Sequence, residues 1–285
     1  MELVSRNQLQ NLGIEPKKSL GQNFLVDSGA AERIVDAVGV ETNDLVFEIG
    51  PGTGALTRSL LKQAGHVIAI ELDPRLVETL RDIFKRSTHL TVVHADALEA
   101  DFVALAAAHA PTNTGVRFVG NLPYYITSAI VRRILESGLA WKSIVVTVQL
   151  EVAQRMVATP GDMGLLSVAT QLYSQAELLT RLPPGAFYPQ PGVESAVVRL
   201  TPHPAPLFDQ PEVLFKLARA GFSQRRKQLI NTLSTGVGLS KIDAAELLLR
   251  AKVEPSRRPE TLTVAEWIRL SQGYLAFTPS DSHAG

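Results

Sequence analysis

The chain contains no cysteine, and that absence removes whole classes of chemistry. Disulfides are excluded, as are enzymes whose nucleophile is a thiolate, radical enzymes built on cysteine-ligated iron–sulfur clusters, and Cys-based zinc sites. Histidine is sparse: His66, His89, His94, His109, His203 and His283 are scattered without metal-ligand spacing, so no metal is expected. Long apolar runs are also missing. The longest have strand length, as in Ile144 to Val148, and Met1 to Gln10 carries no apolar signal segment. No membrane is expected as a partner, and the cytoplasm is the expected compartment. There is no internal repeat or long low-complexity tract.

Neither sign of charge is in excess, since 28 Lys plus Arg balance 28 Asp plus Glu. Taken alone, that balance argues against a nucleic-acid partner. The average conceals a division. Residues 181–285 hold 13 basic against 9 acidic side chains, whereas residues 1–180 hold 15 against 19. The clusters Arg225-Arg226-Lys227 and Arg257-Arg258 suit phosphate contacts, or else form a solvated helix face. At 285 residues the chain suits one large and one small domain with an ample core.

The most informative motif is Asn121-Leu122-Pro123-Tyr124, set after the apolar run Val116 to Val119 and followed by Tyr125. It suits a planar amine such as that of adenine. Asn121 offers one hydrogen-bond acceptor, and Leu122, biased towards extended backbone by the proline after it, offers its carbonyl as a second. Tyr124 would stack on the base. A plain loop after a strand is the competing reading. Upstream, the strand Leu45 to Ile49 runs into Gly50-Pro51-Gly52-Thr53-Gly54 and a helical pattern from Ala55 to Leu61. Strand, glycine turn and helix make a nucleotide crevice.

Gly50-x-Gly52-x-x-Ala55 also fits the relaxed dinucleotide fingerprint, so the loop leaves two candidate ligands. The strand His66 to Ile70 ends in Glu71, placed to accept ribose hydroxyls. A third strand, Leu90 to His94, leads to Asp96, an acceptor for an adenine amino group or a helix N-cap. Gly50, Glu71, Asp96 and Asn121 therefore stand at the carboxyl ends of successive parallel strands, where such folds bind ligands.

Strands and helices alternate to about residue 150, which predicts a doubly wound α/β sheet. A helical pattern around Glu151 to Ala158 and breaks at Gly161 and Gly164 follow. Strand-like stretches at Leu166 to Leu172 and Ser195 to Leu200 are expected to finish the sheet antiparallel. Pro202-His203-Pro204-Ala205-Pro206 reads as a linker. Helices are expected over Val213 to Ala220, Arg225 to Ser234, Lys241 to Leu249 and Val264 to Gln272.

Further stretches join these motifs: Lys18-Ser19-Leu20-Gly21-Gln22-Asn23-Phe24-Leu25, Phe187-Tyr188-Pro189, Ser195-Ala196-Val197-Val198 and Phe222-Ser223-Gln224-Arg225-Arg226-Lys227. With them the chain resembles S-adenosylmethionine-dependent methyltransferases, and more closely the ribosomal RNA adenine dimethyltransferase family, from about Leu12 to Gln272. The resemblance implies a Rossmann-like class I methyltransferase sheet, mostly parallel with an antiparallel end, plus a small C-terminal helical domain. It divides the chain into a cofactor-covering segment at residues 1–26, a methyltransferase domain at 27–201 and a helical RNA-binding domain at 207–275.

It also implies roles for individual residues. Gln22, Asn23 and Leu25 close over the methionine end of S-adenosylmethionine, Gly50 lies beside it with Gly52, Glu71 with Leu72 holds the ribose, and Asp96 with Ala97 and Leu98 holds the adenine. Asn121, the Leu122 carbonyl, Pro123 and Tyr124 take the target adenine, with Phe187 on its other face or in the core. Arg225, Arg226, Lys227, Arg257 and Arg258 contact RNA. The implied partner is small-subunit ribosomal RNA in an assembling 30S-type subunit, met by a monomer, and the product is dimethyladenosine at two adjacent positions. Gly192 and Glu194 stand where the family often has lysine and aspartate, and residues 161–167 are shorter and less basic than usual; weaker RNA binding with a shallower salt slope is expected. A DNA adenine or large-subunit RNA methyltransferase, a ribosome-assembly factor with secondary methylation, and a nicotinamide dehydrogenase remain as alternatives.

Overall fold

The chain pattern of apolar strands separated by amphipathic helices produces, in the computed structural model, a seven-stranded sheet and a separate group of helices; residues 15–110, 114–224 and 226–277 are described. Of these, the residues within Met1–Ala153 and Ala176–Pro202 form one compact unit, and those within Gln154–Gln175 and His203–Gly285 form another.

In the first unit, β1 (Phe24–Leu25) precedes α1 (Ser28–Val38), whose start is fixed by the Asp27 carboxylate accepting from the Ala30 N–H and whose end is set by left-handed Gly39. There follow β2 (Leu45–Ile49), α2 (Ala55–Leu60), β3 (His66–Glu71), α3 (Pro74–Ile83), β4 (Leu90–His94), α4 (Phe102–His109), β5 (Val116–Asn121), α5 (Thr127–Leu135) and β6 (Trp141–Gln149). The spatial order is β4-β3-β2-β5-β6, all parallel, and then antiparallel β9 (Ser195–Pro202) and the edge strand β7 (Ser174–Leu182). Between β7 and β9 lies the short β8 (Phe187–Tyr188), paired antiparallel with β1.

Strands buried on both faces explain the continuous apolar runs. On one face Phe47 stacks on Phe118 with centroids 5.0 Å apart, and Phe102 of α4 meets both edge-on. On the other, Val46, Val119 and Val145 pack with Ile34, Val35 and Leu56 from α1 and α2. The chain turns from β2 towards β3 and β4, then returns to place β5 on the opposite side of β2. Order therefore reverses between β2 and β5, and the crevice at their carboxyl ends is the place such sheets bind ligands. Gly120 serves that closeness. A Cβ there would stand 2.6 Å from the Ile49 carbonyl oxygen of the paired strand.

The second unit contains α7 (Leu165–Tyr173), α8 (Pro211–Phe222), α9 (Leu229–Val237), α10 (Lys241–Arg250) and α11 (Val264–Leu275), with α6 (Leu150–Met156) leading into it. Its core surrounds fully buried Trp267, with Leu214, Leu217, Leu229, Leu233 and Leu247. Two expectations are corrected here. Leu166 to Leu172 is helical, not a strand, because Leu165, Val168, Ala169 and Leu172 recur at helical spacing, and the Thr170 and Ser167 hydroxyls donate to the Met156 and Arg155 carbonyls at 3.0 and 2.7 Å. The strand that edges the sheet is β7. The helix expected from Arg225 begins only at Leu229; Arg226 and Lys227 lie in a turn, and Arg225 lies outside the described residues.

At the amino end of the sheet, Arg117 of β5 pairs with Asp44 and donates to the Val38 carbonyl at 2.8 Å and to Ser143 at 3.2 Å. Burial raises the pKa of Asp44, but the bonds from Arg117, the Glu41 N–H and Lys142 outweigh it and hold the carboxyl below its ordinary value. Both partners are buried, Asp44 at 1 % exposure. Asp44→Ala would remove the buried carboxylate from Arg117, leaving it Glu41 at 3.4 Å, and is expected to remove about 3 kcal/mol of stability, measured by denaturant unfolding.

Candidate active site

The residues at the strand ends converge on one cleft. Gly50 and Gly52 follow β2, Glu71 ends β3, Asp96 and Ala97 follow β4, and Asn121 ends β5, with Leu122, Pro123 and Tyr124 after it. All of them line the cleft together with Gln22, Asn23, Leu25 and Leu72. Leu98 and Phe187 do not. Phe187 is 1 % exposed and pairs with Leu25 across β1 and β8 in the core shared with Ala186 and Val197. It has a packing role here, as an aromatic ring in a short buried strand would.

The loop after β2 holds Gly50, Gly52 and Gly54 at φ +66°, +57° and +81°, a left-handed succession that side chains resist. It brings the Gly52 N–H to Oε2 of Glu71 at 3.1 Å, while the Asp73 N–H donates to Oε1 at 2.9 Å. Glu71 is thus clamped at both oxygens, and the Leu72 backbone adds a third donor to the carboxylate. Burial raises its pKa, opposed by those backbone donors. Asp96 accepts from the Leu98 N–H through Oδ1 at 2.9 Å, a local turn that engages one of its two oxygens.

At the end of β5 the Asn121 amide is oriented by one contact: Nδ2 donates to the Asn23 carbonyl at 2.7 Å. That bond uses the amide NH2 and leaves Oδ1 as the group's acceptor. Leu122 is buried, with its N–H donating to the Thr147 carbonyl at 3.1 Å. The Pro123 carbonyl accepts from Thr127 Oγ1 and the Ile126 N–H, which fixes the turn. The Tyr124 hydroxyl lies 2.7 Å from Ser195 Oγ on β9, so the ring is held at its far end. Burial pushes the phenol pKa up despite that bond, and it stays neutral.

Sequence reasoning missed several participants. Glu48, in the middle of β2, lines the cleft, 1 % exposed; Oε2 accepts from Thr57 Oγ1 at 2.6 Å and Oε1 has no partner. A carboxyl inside an otherwise apolar strand was the available signal. Ser195 was visible only as part of a motif, and Asp73 was not singled out at all.

The basic residues divide. Arg226, Lys227 and Arg258 are exposed in the second unit. Arg257 is committed elsewhere: it pairs with Glu266 at 2.6 Å and donates to Thr261 Oγ1 at 3.1 Å, and Glu266 in turn caps α11 with Thr263. This corrects the expectation that Arg257 meets phosphate, since its guanidinium already braces a helix start. No helix among the described residues is long and apolar enough to cross a membrane.

The profile of the family described as "Ribosomal RNA adenine dimethylase" matches residues 14–270. The chain belongs to the ribosomal RNA adenine dimethylase family. It is a ribosomal RNA adenine methyltransferase, with the mostly parallel sheet of that group of enzymes. Similar proteins named ribosomal RNA small subunit methyltransferase A come from Dehalococcoides mccartyi, 42% identical with 95% of this chain and 92% of the relative covered. Another comes from Geobacillus thermodenitrificans, 41% identical with 94% of each covered. Among solved structures, the 23S rRNA methyltransferase ErmE is 29% identical with TM-score 0.68, covering 88% of this chain and 99% of its own. A Plasmodium falciparum dimethyladenosine transferase shares the fold at TM-score 0.72 and 22% identity, covering 88% of this chain and 96% of its own.

In this dimethylase the buried Glu48 makes a pH-dependent contribution. Burial, opposed by Thr57 and reinforced by the neighbouring Glu71 charge, raises its pKa from about 4.5 to about 7. The folded protein then retains a proton that the unfolded chain has lost, so stability falls as pH rises between those values. The difference in Tm between Glu48→Gln and the parent is expected to grow in favour of the variant from pH 4.5 through 7, measured by thermal melts across pH.

Proposed function

We propose that this dimethylase transfers methyl groups from S-adenosylmethionine to N6 of two adjacent adenosines near the 3′ end of small-subunit ribosomal RNA, giving dimethyladenosines during subunit assembly in the cytoplasm, and that it acts as a monomer. The observation that supports this reading is the 2.7 Å bond from Asn121 Nδ2 to the Asn23 carbonyl, which engages the amide NH2 and leaves the amide oxygen to accept from a bound base.

Electrostatics favours the cofactor. Glu48, Glu71 and Asp96 line the cleft and, among the described residues, no Lys or Arg does, so a cationic sulfonium ligand suits it while the paired phosphates of a dinucleotide would meet carboxylates without a counter-charge. That argues for S-adenosylmethionine over a nicotinamide cofactor. Glu71 has acceptor capacity left for a ribose hydroxyl, Asp96 Oδ2 for the adenine amine, and the Gly50–Gly54 loop brings backbone close to the ligand.

S-adenosylmethionine supplies an electrophilic methyl group on sulfur. The protein's part is to make N6 of the target base a nucleophile. Its lone pair is delocalised into the ring, and acceptance of its N–H bonds by Asn121 Oδ1 and the Leu122 carbonyl favours a more tetrahedral nitrogen. Tyr124, held by Ser195, offers a face for the base. Positioning and electrostatics suffice, since the proton can leave N6 after the methyl arrives. Arg226, Lys227 and Arg258 are suited to phosphates of folded RNA, while the cleft takes an extruded base.

The similarity to ErmE favours a second reading, methylation of large-subunit RNA. Incubation with labelled S-adenosylmethionine and unmethylated small or large subunits, followed by nucleoside mass spectrometry, separates the two. Dimethyladenosine at neighbouring small-subunit positions is expected; label in large-subunit RNA alone would replace the reading. Asn121→Ala is expected to reduce transfer by on the order of 10²-fold or more with the Tm largely kept. Glu71→Ala should weaken cofactor affinity, and an unchanged calorimetric Kd would refute the ribose role. Reversing the charges of Arg226 and Lys227 should weaken RNA binding and flatten its salt dependence by about one unit of slope per lost phosphate contact, with cofactor affinity unchanged.

A further inference from the structure

Asp73 follows β3 by two residues and is fully buried at 0 % exposure. As the N-cap of α3, with Pro74 in the first turn, it needs only one oxygen to accept the Arg75 N–H, which Oδ1 does at 3.2 Å. The rest of its environment exceeds a cap. Arg75 grips the carboxylate with Nη2 on Oδ2 at 2.6 Å and Nε on Oδ1 at 3.1 Å, and the Lys17 ammonium lies 3.5 Å from Oδ1. Gln22 Nε2 donates to Oδ2 at 3.1 Å, while Gln22 Oε1 accepts from the Lys17 N–H at 2.8 Å. Arg75 also donates to the Glu15 carbonyl at 3.3 Å.

These bonds bind the segment before β1 to the body of the sheet, and they join two parts of the cleft. The Asp73 N–H donates to Glu71 Oε1, and the Asp73 carboxylate holds Gln22. The next residue, Asn23, presents the carbonyl that accepts from Asn121 Nδ2. One continuous path therefore runs from Glu71 through Asp73, Gln22 and Asn23 to Asn121, and it crosses about a hundred residues of sequence in four steps.

We infer that Asp73 is a positioning residue for methyl transfer, which anchors Gln22 and so fixes the Asn23 carbonyl that orients the Asn121 amide. The inference rests on the acceptor role proposed above for Asn121. Neutralising Asp73 frees the segment, and Asn121 then samples orientations in which its NH2 group faces the base. A residue that merely capped α3 would affect melting temperature and leave the transfer step alone.

The test uses the full chain with Asp73→Asn, Gln22→Ala and both together. Single-turnover methylation of unmethylated small subunits at saturating S-adenosylmethionine is measured beside calorimetric cofactor affinity and tryptic cleavage at the Lys17–Lys18 bond. Each single change is expected to slow transfer by on the order of 10- to 100-fold, with a smaller change in affinity and faster cleavage. The double variant should be no slower than the worse single, because both changes interrupt one path. Unchanged transfer, losses that multiply in the double, or an affinity loss equal to the rate loss would overturn the inference. If Asp73→Asn does not fold, Gln22→Ala leaves the α3 cap in place and decides by the same readings. A parent protein that methylates neither subunit would sink the proposed function instead. Cleavage would then judge the anchor separately: unchanged rates in both variants would overturn it.

Discussion

The site depends on two strands meeting where the sheet reverses its order. β2 and β5 lie side by side with Ile49 opposite Gly120, and the bare α-carbon of Gly120 is what lets the Ile49 carbonyl oxygen come within 2.6 Å of the position a Cβ would take. From that contact the two chains diverge. One enters the left-handed glycine loop that reaches Glu71, and the other delivers Asn121 and the rigid Leu122-Pro123 turn. The ligand crevice is the gap between them, so cofactor loop and base acceptor are registered against each other by hydrogen-bonded strand pairing.

Much of this was legible because strand ends announce themselves. An apolar run followed by glycines, or by Asn-Leu-Pro-Tyr, fixes both the end of a strand and the chemistry placed there, and Gly50, Glu71, Asp96 and Asn121 do share a cleft. What resisted reading was anything decided by long-range partners. Leu165–Tyr173 has the β-branched and hydroxyl residues of a strand, yet Ser167 and Thr170 satisfy carbonyls of the preceding segment as a helix. Arg257 looked like a phosphate contact beside Arg258, but Glu266, nine residues later, claims its guanidinium. Phe187 offered a stacking face in sequence and is enclosed by the core. Glu48 was hidden in an apolar strand whose burial, not its composition, determines the state of its carboxyl.

Two carboxyls of the cleft are treated differently by their surroundings. Glu48 has a single hydroxyl donor and one bare oxygen, and burial dominates it. Glu71, nearly as buried, is met by backbone N–H groups at each oxygen, which offsets part of the same penalty. Fixed backbone donors do this without the entropy of ordering side chains. The arrangement gives the cleft a rigid acceptor next to a carboxyl that changes charge near neutrality, in a pocket to which no Lys or Arg among the described residues contributes.

The division of the chain between its two compact units has a consequence for how the molecule is made. The polypeptide leaves the sheet unit after Ala153, contributes 154–175 to the helical unit, and returns at Ala176 to supply β7 and β9 before leaving again at Pro202. During vectorial synthesis β6 therefore emerges long before its antiparallel neighbour β9, and its far edge waits unpaired while α7 and β7 are translated. The helical unit waits in turn, for α7 is finished some forty residues before α8 begins. Neither unit can close on the ribosome as an uninterrupted stretch, so the two folding schedules are interleaved. A fragment beginning after Pro202 lacks α7 and with it Val168 and Leu172 of the Trp267 core.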